Sequence, residues 1–248
     1  MTKKHSALKI LAQKNLLKLK ENPYPGRGII VGLDETGKYL IQVYWIMGRR
    51  ESSRNRVFKI EENGVLKTEP ADPSKVKDDE NSDLIYYTAM AQNQTKYSVS
   101  NGHQTVDALS ETDLEYSLKN WEYEPDAPNY TPRITAVFRP FLSPQMAKIS
   151  VLKKSPSDNR CDRELYVVPL ALPGLGFCVT TYSGDGNPLP SFEGSPYLLP
   201  LSGDISGVAQ TIWSVLNPEN RVSLAVKFLE IKTRKISMEK INKYNAVD

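Results

Sequence analysis

Segments of strand length dominate the second half of the chain and limit the folds that it can adopt. Four of them follow one another, each rich in β-branched and aromatic residues: ITAVF, AKISVL, ELYVVPLAL and GFCVTTY. Such residues favour the pleated, half-buried surface of a sheet. We therefore expect these segments to be consecutive strands of a sheet. A further run near the end, RVSLAVKFLEI, predicts a final strand.

The first half predicts a β-hairpin followed by mixed elements. GRGIIVGL and KYLIQVYWIM are apolar runs joined by DETG, whose Gly37 suits a tight turn with positive φ. Strand composition returns in LIYYTAM (84–90) and KYSVS (96–100), and helices are predicted at residues 105–121 and 204–216. Nine or ten strands, grouped apart from two main interior helices, predict an α+β fold in layers.

The two ends of the chain and one internal segment differ from this body. Residues 1–22 predict a basic amphipathic helix, which either attaches to a membrane surface or an acidic partner, or packs on the body or another subunit. NPYPG ends that helix, so a single domain is expected over residues 23–231. Within it, residues 61–83 predict an exposed charged insertion in which residues 64–68 suit a short strand, and residues 232–248 predict a polar, peripheral tail.

Composition excludes several classes of function. A net charge of +3 is far below that of a dedicated nucleic-acid binder. With two cysteines and two histidines and no CxxC, the chain lacks the pattern of a structural zinc site. It also lacks the apolar runs of a membrane span or a secretory signal. We expect a cytoplasmic protein with reduced thiols.

A local concentration of arginine, GRRESSRNR at residues 48–56, follows the second strand of the predicted hairpin. If the backbone is extended there, Arg54 and Arg56 point the same way and Asn55 points the other way. Guanidinium groups bind phosphate through two parallel hydrogen bonds. The pattern alone leaves three interpretations open: a site for a compact anion, a solvated loop, or a nucleic-acid contact.

Two further segments carry polar residues at the ends of predicted strands. SNGHQT at residues 100–105 lies where a strand turns into a helix, a place where backbone N–H groups meet anions or carbonyl oxygens. YEPDAPNYTPR at residues 123–133 places Glu124, Asp126 and Arg133 around a proline-stiffened loop. These residue types suit proton transfer and anion binding. An ordinary turn with an N-cap and a solvated loop are the alternatives.

Taken together and in this order, four motifs resemble the archaeal-type IMP cyclohydrolase family, including its bacterial IMP cyclohydrolase-like members. The motifs are YPGRGIIVG, GRRESSRNR, VSNGHQTVD and YEPDAPNYTPRI. The resemblance is clear from about residue 24 to residue 134, and a looser similarity of strand order and composition continues to about residue 229.

The resemblance implies a fold, a reaction and the absence of a nucleophile. The implied fold is a four-layer αββα sandwich like that of the N-terminal-nucleophile hydrolases. The implied reaction closes 5-formamidoimidazole-4-carboxamide ribonucleotide to IMP with loss of water, the last step of purine synthesis, and needs no metal or organic cofactor. The predicted first strand opens with YPGR, so the N-terminal Cys, Ser or Thr of those hydrolases is missing.

The resemblance also implies roles for individual residues. Tyr87 and Asn101 are expected to orient or polarise the formamide, Glu124 to move the proton, and Arg133 to hold the base or the carboxamide. The expected substrate contacts, mainly to phosphate or an oxyanion, are Arg27, Arg49, Arg54, Asn55, Arg56, Gly102, His103 and Gln104. The implied partner is a small ribonucleotide, with no nucleic acid and no membrane, and a homo-oligomer is expected.

Some residues depart from the family pattern, and other functions compete. Arg50 stands where a small polar residue is expected, and His103-Gln104 differs from the Ser-His order of archaeal members. The alternatives are a purine-nucleotide-binding relative without turnover and an amide hydrolase or cyclase on the same scaffold. A protein that binds nucleic acid or a membrane surface through residues 3–20 and 49–56 is a further alternative.

Overall fold

Two antiparallel sheets, packed face to face, form the body of the protein. The computed structural model describes residues 3–76, 82–111 and 113–246. From edge to edge, the first sheet contains β11 (Tyr197–Pro200), β10 (Leu175–Thr180), β1 (Gly28–Leu33), β2 (Tyr39–Met47), β12 (Arg221–Glu230) and β13 (Ile236–Asn242). The second contains β3 (Val57–Ile60), β4 (Leu66–Glu69), β5 (Thr88–Gln92), β6 (Tyr97–Ser100), β7 (Arg133–Phe138), β8 (Met146–Lys154) and β9 (Cys161–Pro169).

The predicted hairpin is present as β1 and β2. Gly37, with φ of +73°, sits in the turn between them, where a positive φ favours glycine. Gly28 lies opposite Trp45 in the register. A Cβ on Gly28 would lie 1.9 Å from the Trp45 ring, so only glycine fits below that indole.

The main core lies between the two sheets. Alternate residues of β1 and β2 face it, among them Ile29, Val31 and Tyr44, and they pack with Val99 of β6 and Ile149 of β8. The β-branched side chains predicted to form strands thus fill this space, because alternate residues of a strand point to the same face. Strand β1 contacts β7 across the core, and β13 contacts β3 at the edge.

Helices cover the outer faces of both sheets. Lys3–Glu21 (α1) and Ile205–Val215 (α6) pack on the first sheet, where Leu19 and Ile212 join the core on that side. Asp204 caps α6 by accepting a hydrogen bond from the Gly207 N–H over 2.8 Å, as its sequence predicts. The short helices Gln104–Asp107 (α4) and Leu114–Ser117 (α5) lie on the second sheet. The protein is therefore an α+β sandwich, and its likeness to N-terminal-nucleophile hydrolases stays a prediction.

Two predicted elements differ from those observed. The helix expected over residues 105–121 is instead two single turns, α4 and α5, separated by non-helical residues, with residue 112 outside the described part. Each turn places a few apolar side chains on the second sheet, which gives the sequence a helix-like period without a continuous helix. The strand expected at 84–90 is a helical turn, Ser82–Ile85 (α3), followed by β5.

The predicted insertion and tail both contribute strands. Residues 61–76 include β4, which joins β3 to β5, while residues 77–81 lie outside the described part. The tail, expected to be peripheral, contains β13, which pairs with β12 from Ile236 to Asn242. Asn242 then exchanges two hydrogen bonds with the backbone of Phe58, at 2.9 and 3.1 Å. The tail thus connects the edges of the two sheets. Within β13, Lys240 is exposed, whereas Glu239 is half-buried on the opposite face.

Candidate active site

Four predicted catalytic or binding residues meet at one end of the sandwich. Arg27 directly precedes β1, Asn101 directly follows β6, and Arg133 is the first residue of β7. Because adjacent antiparallel strands run in opposite directions, the end of β6 and the start of β7 lie side by side, and β1 faces β7 across the core. The loop before β7 brings Glu124 to the same place.

Glu124 is at the centre of this group. Arg27 donates from Nη2 to Oε2 of Glu124 over 2.7 Å, and Nη1 of Arg133 lies 3.9 Å from Oε1. Only 2% of Glu124 is exposed. A buried carboxylate of this kind requires compensation by opposite charge and hydrogen bonds, and the two guanidinium groups supply it.

Asn101 and Gln104 extend the group into a hydrogen-bonded network. Nδ2 of Asn101 donates to Oε1 of Glu124 at 3.2 Å and to the Pro132 carbonyl at 2.9 Å. Oδ1 of Asn101 accepts from the Ile134 N–H and from Nε2 of Gln104. We call Arg27, Asn101, Gln104, Glu124 and Arg133 the polar cluster.

Arg133 lies against the backbone of the 100–105 turn. Its Nη1 donates to Oε1 of Gln104 over 3.1 Å, and its guanidinium lies 4.9 Å from the centre of the Trp121 ring. A Cβ on Gly102 would lie 2.5 Å from Nη1, so glycine is needed there to admit the guanidinium. Nε of Arg133 is buried and has no hydrogen-bond partner among the described residues.

Burial and charge act against each other on the pKa values of the cluster. Burial raises the pKa of Glu124 above its ordinary value, although Arg27 and Arg133 oppose the rise. Burial lowers the pKa of Arg133, and Arg27 adds to this effect while Glu124 opposes it. Burial acts in the same direction on Arg27 and is the largest single effect there, but the Glu124 carboxylate and the neighbouring tyrosines together raise the pKa of Arg27. A carboxylate with a raised pKa is suited to accept and return a proton.

Tyr87 stands beside the cluster with a partner that the sequence did not indicate. Its hydroxyl lies 2.6 Å from the Tyr44 hydroxyl, and both rings are buried. The pKa of Tyr44 is raised by burial and by Tyr87, and lowered in part by Arg27. His103 is exposed, and its ring lies edge-on to Tyr87 with 6.3 Å between ring centres. His103 therefore marks the rim of the site.

The loop before β7 is fixed by Asp126, one of the acids that the sequence suggested for proton transfer, and by Thr131 and Tyr182, which sequence reasoning missed. Thr131 donates from its hydroxyl to Asp126 over 2.5 Å, and its oxygen makes a short hydrogen bond with the Tyr182 hydroxyl. Burial raises the pKa of Tyr182. Asp126 thus serves as an acceptor inside the loop, and the Thr-Pro-Arg sequence at its end was the available signal.

The arginine segment, residues 48–56, forms a helical turn where an extended chain was expected. The turn α2 spans Glu51–Arg54, and the Ser53 hydroxyl bridges the N–H and the carbonyl of Arg50. Arg54 and Arg56 consequently do not share one face of a strand. Arg56 is buried and donates to the carbonyls of Ser53 and Met47, at 2.8 and 2.9 Å.

The other residues of the arginine segment point elsewhere. Arg49 pairs with Asp185 at 2.5 Å and lies 4.8 Å from the centre of the Tyr24 ring. Asn55 uses its side chain to hold the backbone of Asp72, at 2.7 and 2.9 Å. Arg54 and Asn55 both line a separate pocket away from the polar cluster.

Positive charge nevertheless continues from the polar cluster to part of the arginine segment. Burial raises the pKa of Tyr24, and Arg56, Arg27 and Arg49 all oppose that rise. These three guanidinium groups are therefore near one phenol, which stacks on Tyr182 with 6.0 Å between ring centres. Arg27, Arg49 and Arg56 thus all act electrostatically on Tyr24, whereas Arg54 and Asn55 line the separate pocket.

Within the described ranges, no group of three or more His, Cys, Asp or Glu residues is arranged to hold a metal ion. None of the helices in that part of the chain is long and apolar enough to cross a membrane.

Comparison with known families places the chain in one of them. The model of a family described as IMP cyclohydrolase-like protein matches residues 24–234. The chain belongs to this family. Membership indicates a cyclohydrolase-like function in general terms, and the match contains the whole polar cluster and the arginine segment. All of α1 and the final residues, including all of β13, lie outside it. A comparison with curated proteins gave no match.

Proposed function

We propose that the protein closes 5-formamidoimidazole-4-carboxamide ribonucleotide to IMP, in the ring-closing direction, as a step of purine synthesis. The observation that carries the proposal is the pairing of two buried groups. Glu124 has a pKa raised by burial, and beside it Nε of Arg133 lacks a partner among the described residues. An unsatisfied buried donor costs about 1–3 kcal/mol, and beside a carboxylate with a raised pKa a catalytic or binding role explains it.

Glu124 is the base in this proposal. The carboxamide nitrogen attacks the formyl carbon and forms the new C–N bond while its proton passes to the Glu124 carboxylate. The formyl oxygen then carries the negative charge and takes a proton from the Tyr87 hydroxyl to give a carbinolamine. Glu124 returns its proton as the hydroxyl leaves as water, while the former formamide nitrogen forms the C=N bond and gives its N–H proton to the Tyr87 oxygen. Both the carboxylate and the phenol are thus regenerated, and one water is lost. A base with a raised pKa is effective in both directions of transfer.

Three residues take more definite roles than the sequence suggested. Arg27 holds the Glu124 carboxylate and is not free to bind phosphate with both nitrogens. Asn101 donates both N–H groups of its amide, one to Glu124 and one to the Pro132 carbonyl. It therefore orients the base and does not polarise the formamide. Arg133, through its Nε, binds the carboxamide oxygen or the developing oxyanion.

The formyl oxygen needs a donor, and the Tyr87–Tyr44 pair supplies one. In a hydroxyl pair only one proton lies between the two oxygens, so the other remains available. The nearby positive charge of Arg27 favours donation from a phenol. Tyr87, which neighbours the exposed His103, is the member closer to the rim.

The 5′-phosphate is assigned to the guanidinium groups around Tyr24. Arg56 keeps one terminal nitrogen free of the described hydrogen bonds, and Arg49 is held by an exposed aspartate that a phosphate can replace. Guanidinium groups bind phosphate in two-point contacts. Because the polar cluster is almost closed, the substrate reaches it only when neighbouring side chains move.

An assay of IMP formation from the formamido ribonucleotide, measured against spontaneous cyclisation, tests the proposal. We expect Glu124→Gln to lower kcat about 100-fold or more, because proton transfer is lost, with little change in KM. Glu122→Gln makes the same chemical change at an exposed position two residues away and should leave kcat unchanged.

Equal activity of these two variants would remove Glu124 from the mechanism. Substrate binding by the wild-type protein without turnover would instead favour the nucleotide-binding alternative. The absence of both binding and turnover would contradict the proposed substrate.

A further inference from the structure

A second pocket lies at the edge of the sandwich, next to β3 and the end of β13. Its volume is about 590 Å³, within the range of small-molecule sites. Its lining includes Arg54, Asn55, Lys75, Lys243 and Tyr244. We call it the edge pocket. None of its lining residues belongs to the polar cluster, and Lys243 and Tyr244 lie beyond the family match at residues 24–234.

Two cations of the edge pocket are held by neutral groups. Lys243 donates from Nζ to the carbonyls of Pro218 and Glu219, at 2.9 and 3.0 Å. The hydrogen bond of the Arg54 side chain among the described residues joins its Nε to the Gly48 carbonyl, at 3.0 Å. Carbonyls fix these side chains in place without neutralising them. Both cations therefore keep their charge available to an anion.

The carboxylates of the edge pocket are already engaged or exposed. Asp72 accepts from the N–H and the hydroxyl of Ser74 and lies 3.8 Å from Lys75. Glu51 is also 3.8 Å from Lys75, and its side chain is 82% exposed. Lys75 thus offsets part of their charge, and Arg54 and Lys243 supply the charge that remains for a ligand.

The edge pocket has an aromatic side chain, Tyr244, in one wall and a side chain fixed by hydrogen bonds, Asn55, in another. Tyr244 is half-buried and packs against the core between the sheets. Asn55 is held by two hydrogen bonds to the Asp72 backbone. A planar ring can stack on the phenol while an attached phosphate meets the two terminal nitrogens of Arg54.

We propose that the edge pocket is a second binding site, which takes a small phosphate monoester that carries a planar ring, such as a mononucleotide. This site is separate from the one used in the proposed reaction. The arginine segment connects the two, because Arg54 lines the edge pocket while Arg56 belongs to the proposed phosphate contacts. A ligand in the edge pocket is thus placed to influence the position of the arginine segment.

Calorimetric titration with AMP tests the second site without reference to turnover. We expect Lys243→Ala to weaken AMP binding at least fivefold. Lys240→Ala removes the same charge from an exposed position three residues earlier, in β13, and should change the affinity less than twofold. Because Lys243 also anchors the C-terminal segment, Arg54→Gln provides an independent variant. It keeps a donor near Gly48 and should weaken binding by a similar factor.

Arg133→Ala separates the two sites, since it alters the polar cluster and not the edge pocket. Retention of the Lys243-dependent binding in Arg133→Ala would support the proposal. Loss of that same binding event, or equal affinities for Lys243→Ala and Lys240→Ala, would overturn it. Binding of adenosine as tight as that of AMP would also overturn it, because the phosphate would then contribute nothing. None of these outcomes depends on the cyclohydrolase reaction.

Discussion

The two ends of the space between the sheets hold buried charge in opposite ways. At one end, the Glu124 carboxylate is matched by Arg27 at 2.7 Å and by Arg133 at 3.9 Å. At the other end, Lys227 is 1% exposed, and its Nζ donates to the neutral amide oxygen of Gln92 over 2.7 Å. Its cross-strand neighbour Gln42 has both amide atoms without a partner among the described residues.

The Glu124 charge is thus compensated by two opposite charges, whereas the Lys227 charge has a neutral amide as its hydrogen-bond partner. Burial lowers the pKa of Lys227 to about 7, and no charged neighbour offsets this effect in the described part of the chain. In the polar cluster, by contrast, removal of one member leaves the others buried and unpaired. Loss of Glu124 should therefore destabilise the fold, and loss of the Lys227 charge should stabilise it.

The largest effect is expected at Glu124. Glu124→Ala leaves the guanidinium groups of Arg27 and Arg133 buried without their carboxylate, and breaking a buried pair in this way costs about 3–5 kcal/mol. Chemical denaturation at neutral pH measures the free energy of unfolding. Glu122→Ala, at an exposed position, is the matched control. A loss below about 1 kcal/mol for Glu124→Ala would show that the cluster is not a compensated network.

A gain in stability is expected from Lys227→Met. The folded pKa of Lys227, about 7, lies below the unfolded value of about 10.4, so the folded state binds fewer protons between these values. The free energy of unfolding of the wild-type protein therefore rises with pH across this window. A tenfold difference in proton affinity between the two states corresponds to about 1.36 kcal/mol, and removal of the charge should gain a few kcal/mol at pH 6.

The pH dependence of this gain is the sharper test. The advantage of Lys227→Met should shrink as pH rises from about 7 and disappear above the unfolded pKa of about 10.4, because the wild-type lysine is then neutral in both states. Lys240→Met, in the adjacent strand at an exposed position, should show no such trend. A gain that stays constant with pH would mean that packing, and not charge, distinguishes the two ends.

Much of the fold was predictable because it depends on local sequence. β-Branched runs gave the strands of both sheets, Gly37 gave the first hairpin, and Asp204 gave the start of α6. The continuous helix expected at 105–121 was wrong, since apolar spacing alone does not distinguish one helix from two separate turns. Strand β13 within the tail was not predicted, because its pairing with β12 is a non-local contact.

The polar cluster was predicted in its membership but not in its geometry. The motifs indicated Asn101, Glu124 and Arg133, and the structure places their side chains together. The helical turn α2 was missed because it depends on the Ser53–Arg50 hydrogen bonds. Tyr44 was missed because its partnership with Tyr87 arises only when the two sheets pack, which no local pattern records.

A smaller effect is expected from the Tyr44–Tyr87 pair. Its two hydroxyl groups are buried and polar, as the groups at both ends are, but they carry no charge. Tyr44→Phe leaves the Tyr87 hydroxyl without this partner, and an unsatisfied buried hydroxyl costs about 1–2 kcal/mol. A double-mutant cycle with Tyr87→Phe measures the coupling. The double variant should lose little more than Tyr44→Phe alone. Strictly additive losses would indicate that the two hydroxyls do not interact.

The smallest effect is expected where the charge is at the surface. Arg49 pairs with Asp185 at 2.5 Å, but both side chains are well exposed, at 38% and 48%. Exposed pairs contribute about 0–1 kcal/mol, and salt screens them. We therefore expect Arg49→Ala to lower the free energy of unfolding by less than about 1 kcal/mol, and less at high salt. A cycle with Asp185→Asn measures the pair itself. If the loss approached that of Glu124→Ala, burial would not explain why the polar cluster contributes more to the free energy of unfolding than an exposed ion pair does.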